Sequence, residues 1–123
     1  MGLNEDWLAT TVEEILEPDL PICDPHHHLW RDKGHTGWPY LLDDLHADTG
    51  RGHNVVRTVY LECHAEYLTD GPEHMRPVGE TQFVIDVAEQ SARTGKAEIA
   101  GIVGHANLAL GDAIEEILAA HEA

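Results

Sequence analysis

Strand-like and helix-like segments alternate along this chain, and that alternation is the feature that most limits how it can fold. The clearest strand is Val55–Leu61, which is dense in β-branched and aromatic residues. Apolar runs at residues 20–24 and 99–103 predict strands before and after it, and Pro25 ends the first run. Strands that alternate with helices form βαβ units, so the sequence predicts an α/β fold with a parallel sheet and covering helices.

Apolar residues repeat at helical spacing around these strands. The first such segment predicts a helical lead-in at residues 1–17, with an apolar stripe of Leu8, Val12, Ile15 and Leu16. A short helix is predicted over residues 41–47. A longer one ends at Gly95 and carries the stripe Phe83, Val84, Val87, Ala88 and Ser91. Residues 18–123 thus form the βα units.

The last helix is predicted from its start signal. Asp112 can accept hydrogen bonds from a first helical turn, and Glu115 stands three residues later, as in a capping box. The inner stripe of this helix is predicted to be Ile114, Ile117, Leu118 and His121.

Acidic residues greatly outnumber basic ones. The 123 residues include 23 Asp and Glu against 7 Lys and Arg, which gives a formal net charge of −16. Such a chain is repelled by phosphate backbones and anionic lipids, because it has no cationic cluster to release their counterions. No nucleic-acid or membrane partner is therefore expected, and the excess acid is interpreted as a solvated surface.

Cysteines and targeting signals give a further expectation about location. Cys23 and Cys63 do not make a disulfide framework and are interpreted as small packing residues. The first 16 residues contain several carboxylates and lack the unbroken apolar core of a signal peptide. No stretch reaches the ~20 apolar residues of a membrane span. We therefore expect a reduced, cytoplasmic protein.

Three adjacent histidines directly follow the first predicted strand. Residues two apart on a strand point to the same side, so His26 and His28 share a face and His27 faces the other way. Two imidazoles placed in this way can converge on one ion, each at about 2.0–2.1 Å from zinc. Asp24 has the same parity and can orient a ligand from behind. The alternative is a polar turn after a strand.

The residues around these histidines match a known pattern. Ile22-Cys23-Asp24-Pro25-His26-His27-His28-Leu29-Trp30 resembles the Asp-x-His-x-His opening of the amidohydrolase superfamily. The likeness is to the amidohydrolase-related (amidohydrolase-2) branch, with its sugar lactonases, dicarboxylate lactonases and non-oxidative decarboxylases. Residues 38–41, Val55–Leu61 and residues 100–108 are similar to successive landmarks of that branch, in the same order. The resemblance runs from about Pro18 to the end of the sequence.

The resemblance implies a (β/α)8 TIM barrel, with His26 and His28 as metal ligands at the carboxyl end of its first strand. It also implies a divalent metal cofactor, zinc as first choice and manganese as second, that activates water and polarises a carbonyl. In that family an aspartate of the last strand acts as base and metal ligand, and further histidines come from middle strands.

The predicted strands cover only part of such a barrel. A complete one needs about 250 residues, whereas this sequence has 123 and about three predicted strands. We therefore expect the amino-terminal portion of one metal-dependent hydrolase barrel, inactive by itself. Its two open sheet edges predict possible self-association.

Other side chains are candidates for the same mouth. Glu62 and His64 follow the second strand and His105 follows the third, where they can face a substrate or an ion; a solvated loop position is the alternative. Trp30 either walls the pocket or packs beneath the loop. The branch that the sequence resembles commonly has aspartate at the position of Asn107, so no acid role is predicted for Asn107. The remaining histidines lack ligand spacing and are interpreted as surface or interface residues: His35, His46, His53, His74 and His121.

The predicted function is water attack on the carbonyl of a small-molecule lactone or amide, assisted by a divalent ion. Two alternatives stay open. Non-oxidative decarboxylation uses the same barrel opening, and a metal-binding or interaction module without catalysis is the other. The sequence has no Gly-rich phosphate loop, Gly-x-Ser-x-Gly elbow or Cys-x-x-Cys pair, which excludes nucleotide-binding, serine-hydrolase and structural-zinc functions.

Overall fold

The fold is built on a three-stranded parallel sheet. The computed structural model describes residues 4–32 and 37–123. In that part of the chain three strands lie side by side in sequence order: β1 (Ile22–His27), β2 (Val55–Leu61) and β3 (Glu98–Val103). The α-helices are α1 (Glu5–Leu8), α2 (Leu42–Thr49), α3 (Val78–Ala92) and α4 (Ile114–Glu122). Short 3-10 helices at Glu73–Met75 and Leu108–Ala113 precede α3 and α4.

The α/β class and the parallel sheet are confirmed. The bounds of β2 are those predicted from its β-branched residues, and β3 begins one residue earlier than predicted. The three strands form an open sheet, so closure into a barrel stays a prediction. None of the helices among the described residues is long and apolar enough to cross a membrane.

Helices cover one face of the sheet and form the core there. Its buried members are Leu29, Leu45, Tyr60, Phe83, Val84, Val87 and Ile99. The opposite face is open, and Cys23 and its cross-strand partner Arg57 are both exposed on it. The interpretation of Cys23 as a small packing residue is therefore wrong for the described structure, because its side of the sheet is the open one. Cys63 is half-buried and borders the core.

β1 continues through Pro25 instead of ending before it. β1 is an edge strand of the described sheet, where a residue without an N–H is tolerated. The register shifts at this point, since Asp24 pairs with Thr58 whereas His27 pairs with Tyr60. The strand therefore has an irregularity around Pro25 that simple alternation does not predict.

The amino-terminal segment is not the predicted helical lead-in. α1 ends at Leu8, and both the N–H and the hydroxyl of Thr10 donate to the Trp7 carbonyl, at 3.1 and 2.6 Å. The run Thr10-Thr11-Val12 is β-branched, which disfavours helix. Val12 and Leu16 are 91% and 92% exposed and only Ile15 of the predicted stripe is half-buried, which is too little buried apolar surface to stabilise a short helix.

The last helix begins differently from the prediction. α4 starts at Ile114 without a side-chain cap, so the predicted Asp112 capping box is wrong. The 3-10 segment at residues 108–113 is interrupted at Gly111, whose φ of 59° and ψ of −134° are not helical, and Asp112 follows this kink without capping α4. Ile117 is fully buried as predicted, whereas Leu118 is 46% exposed and lies outside the inner stripe.

Two histidines interpreted as surface or interface residues are structural, and one of them, His121, is also predicted on the inner stripe of the last helix. His46 is buried, and its Nε2–H donates to the Ala97 carbonyl at 3.0 Å, which ties α2 to the approach to β3. His121 is half-buried; its Nε2–H donates to the His105 carbonyl at 2.9 Å, and its Nδ1 lies 2.9 Å from the Thr81 hydroxyl. Each ring offsets its burial with a hydrogen bond, a pairing that local sequence does not reveal. His53 is exposed as predicted. His35 lies outside the described residues.

Candidate metal centre

His26 and His28 converge at the carboxyl end of β1. Their Nε2 atoms are 3.1 Å apart, and their rings meet edge to face with centroids separated by 4.9 Å. The two side chains therefore lie on the same side of the strand end, as predicted, and their Nε2 atoms approach the same point.

The main chain of β2 fixes the ring of His28. Its Nδ1 lies 2.8 Å from the Leu61 carbonyl oxygen. Because a carbonyl only accepts, Nδ1 carries the proton, and the Nε2 of the neutral ring is left with a lone pair. In the 3.1 Å contact His28 Nε2 therefore accepts, and His26 Nε2–H donates. A ligand histidine held by a carbonyl on its far nitrogen is the usual arrangement at metal sites.

His27 belongs to the covered face. Its Nδ1–H donates to the Val59 carbonyl at 3.1 Å, and its ring meets Tyr60 edge to face. Burial lowers the pKa of His27 to about 4, so the ring is neutral at physiological pH. This side chain faces the core, as the alternation of β1 predicts.

Asp24 acts on His26 through the main chain. Its carboxylate Oδ1 accepts the backbone N–H of His26 at 3.1 Å. The register places Asp24 opposite the buried Thr58, on the covered face, because the irregularity at Pro25 breaks the parity that the sequence suggested. Asp24 thus shapes the strand end that presents His26.

Trp30 stands beside the histidine pair. Its ring centroid lies 5.5 Å from that of His28, and its main chain pairs with Tyr40 through hydrogen bonds of 2.8 and 2.9 Å. Trp30 borders a pocket of about 410 Å³ together with Asp24, His26 and His28. Of its two predicted roles, the geometry supports that of a pocket wall.

Glu62, His64 and His105 form a separate group beyond β2 and β3. A Glu62 carboxylate oxygen lies 3.8 Å from Nδ1 of His105, and the rings of His64 and His105 have centroids 5.9 Å apart. These three residues, all within the described part of the chain, do not border the pocket of His26 and His28. The candidate residues were predicted to line one common site, and they instead form two separate groups.

A residue that the sequence does not single out holds the turn after β2. Glu80 is 2% exposed, and its Oε1 accepts from the Tyr60 hydroxyl at 2.7 Å and from the N–H groups of Cys63 and Ala65 at 2.8 and 3.0 Å. Burial and these contacts raise the pKa of Tyr60 above its usual value.

The residue before Glu80 also fits closely against this turn. Only glycine fits at Gly79, since a Cβ there would lie 2.5 Å from a main-chain oxygen of the turn.

The histidine pair fits part of a divalent-metal site. Two nitrogens bound to one tetrahedral zinc are separated by about 3.3 Å, close to the 3.1 Å found here. Within residues 4–32 and 37–123, no three His, Cys, Asp or Glu side chains form a group that could hold an ion. The pair supplies two of the three protein ligands that a catalytic zinc usually has.

Comparisons of the chain with protein-family models, with curated proteins and with solved structures found no match.

Proposed function

We propose that His26 and His28 bind one divalent metal ion through their Nε2 atoms, zinc as first choice and manganese as second. The observation that carries this proposal is the 3.1 Å separation of two ring nitrogens, one of which has its lone pair fixed by the Leu61 carbonyl. The ion would take the place of the proton that His26 Nε2 now donates to His28.

We further propose that this end of the sheet belongs to a metal-dependent hydrolase of the amidohydrolase-related type, acting on a small lactone or amide. A bound divalent ion lowers the pKa of its water towards ~7 and polarises a carbonyl. His26 and His28 hold the ion, Asp24 holds the strand end that presents His26, and Trp30 excludes water from one side. The sequence resemblance supports this assignment, as does the position at the carboxyl end of a parallel strand.

A second candidate is a metal-binding module without catalysis. It is favoured by the ligand count, since the described residues offer two histidines and no third ligand beside them. The two candidates share the site and differ in turnover. Hydrolysis of a lactone or amide by the pure, zinc-loaded chain would favour the hydrolase and contradict our expectation that these residues alone are inactive. The cytoplasmic location and the small-molecule substrate also stay predictions.

Calorimetric titration with zinc tests the site itself. We expect one ion per chain, and His26→Gln or His28→Gln should each lower the affinity by about 100-fold, because loss of a ligand costs at least as much as loss of its supporting contact. His53→Gln is the matched control, since His53 is an exposed histidine outside this pocket. Unchanged affinity in both ligand variants would rule out the assignment, and an equal loss in the control would indicate non-specific binding.

A further inference from the structure

A second cleft lies beyond the ends of β2 and β3, apart from the histidine pair. Its volume is about 620 Å³, and His64, Tyr67, Arg76, Pro77, His105 and Leu110 contribute to its walls. The residues that border the pocket of His26 and His28 are all different from these. The cleft therefore needs an explanation of its own.

Arg76 is the feature of this cleft that most needs a partner. Its Nε is buried without a hydrogen-bond partner among the described residues, and none of their carboxylates lies within 4.0 Å of its guanidinium. By contrast, Arg31 and Arg93 pair with Glu66 and Glu89 at 3.3 and 3.2 Å. A guanidinium is always charged, and its N–H groups are normally satisfied when they are buried.

A second donor in the same cleft is also unsatisfied. The Tyr67 hydroxyl is buried without a partner among the residues that the structure describes. Burial and the nearby Glu80 raise the pKa of Tyr67 to about 12, so the hydroxyl keeps its proton at neutral pH. Arg76 and Tyr67 both border this cleft, and each has a buried donor without a partner among the described residues, which an anionic group would satisfy once these side chains turn toward it.

The other charges of the cleft limit which anion fits. Glu73 stands at its rim, and Glu62 lies 3.8 Å from His105. With the net charge of −16, these carboxylates disfavour a multiply charged ion such as phosphate. Pro77 and Leu110 provide apolar contacts for a carbon body. A singly charged head on an apolar body satisfies both conditions.

We propose that this cleft binds a small organic carboxylate, which Arg76 holds through its guanidinium. The planar fork of arginine matches the two oxygens of a carboxylate. Tyr67 adds a hydroxyl donor, and the apolar wall contacts the rest of the molecule. Binding at this site does not depend on a metal ion at His26 and His28.

NMR titration of the full chain, stripped of metals on a chelating resin, tests this site separately from the metal site. The probe is butyrate at low ionic strength, up to about 50 mM for a weak, millimolar ligand, and its neutral analogue is butyramide. We expect saturable shifts of the Arg76 Nε–Hε signal and of the amides of Tyr67 and His105. Butyramide should leave these signals in place. Shifts that do not saturate, or equal shifts with butyramide, would overturn the proposal.

Variants locate the binding. Arg76→Gln should weaken butyrate binding about tenfold or more, and Arg76→Lys, which keeps the charge without the fork, should lie between it and the wild type. Arg57→Gln is the matched control, because Arg57 is an exposed arginine on the open face of β2. The amide spectrum of each variant reports whether it is folded. Wild-type affinity in Arg76→Gln, or an equal loss in Arg57→Gln, would show that Arg76 is not the anion's partner.

Discussion

Two pairs of histidines lie at or just beyond the carboxyl ends of the parallel strands, and of these two only one pair converges. His26 and His28 bring their Nε2 atoms to 3.1 Å. The rings of His64 and His105 stay 5.9 Å apart between centroids, and His105 faces the Glu62 carboxylate instead. Histidines near the carboxyl ends of one sheet thus form a close pair of ring nitrogens in one place and border an open cleft in the other.

The difference follows from what holds each ring. His26 and His28 share one strand end, and a carbonyl of the neighbouring strand fixes His28. His64 lies in a turn with φ 64°, held from behind by the contacts of Glu80. His105 comes from another strand, after Gly104. Rings from one strand end meet because their spacing is fixed, whereas rings from two loops leave room for a ligand between them.

Loss of Glu80 should have the largest effect on this contrast. Glu80→Ala removes the acceptor of three buried or half-buried donors, so we expect the free energy of unfolding to fall by about 3 kcal/mol. Urea denaturation measures this loss, and hydrogen exchange should show reduced protection of the Cys63 and Ala65 amides. Glu89→Ala is the control on the same helix, since the exposed Glu89–Arg93 pair contributes within about 0.5 kcal/mol. Equal losses in the two variants would contradict the anchoring role of Glu80.

Zinc affinity should separate the two histidine pairs next. His64→Gln and His105→Gln should change the zinc affinity by less than about twofold, against about 100-fold for His28→Gln, because only the converging pair has ligand geometry. Calorimetry of the three variants measures this difference. If all three lost affinity equally, the two pairs would form one site and the contrast drawn here would fail.

Alkaline pH should lower the free energy of unfolding through Tyr67, which borders the cleft. The pKa of Tyr67 is raised to about 12 in the folded chain, so an unfolded chain releases that proton first, near pH 10. The free energy of unfolding should therefore fall as the pH rises from about 10 to 12, by about 1 kcal/mol for this partly accessible ring. Tyr67→Phe should remove that part of the fall. A constant difference between wild type and Tyr67→Phe over this range would show that the hydroxyl titrates normally.

Replacement of Asp24 by Asn should have the smallest effect, which is on the zinc affinity. Asp24→Asn keeps a side-chain oxygen that can accept the His26 N–H, so the zinc affinity should change by less than about threefold. Asp24→Ala removes that acceptor and should cost more. If Asn and Ala lowered the affinity equally, the charge of Asp24 would matter instead of its hydrogen bond.

Local patterns in the sequence predicted an element correctly where residue preference and apolar spacing favour the same secondary structure. The β-branched run of β2 gave its bounds, and the spacing of His26 and His28 predicted their shared side. The same reasoning failed for residues 8–16, where the apolar spacing competes with the β-branched Thr10 and Thr11. It failed again at Asp112, because the chain kinks at Gly111 and α4 begins only at Ile114.

The parts that could not be predicted are contacts between distant residues. The hydrogen bond of His28 spans 33 positions to Leu61, and that of His46 spans 51 to Ala97. Glu80 looks like any acidic residue in a first helical turn, and Arg76 like any surface arginine, until the cleft is seen. Pairings of this kind depend on register and packing, which periodicity does not encode.

The group that aims His28 is a main-chain carbonyl, and every amino acid has one. Replacing the Leu61 side chain therefore cannot delete the acceptor, whereas a side-chain orienter could be lost in a single codon change. The direction of this ring is robust to point mutation at the position that sets it. It is sensitive instead to insertions or deletions that slide β2 along β1. A mutational scan of β2 should accordingly find zinc binding tolerant of apolar replacements at position 61 and intolerant of a one-residue insertion.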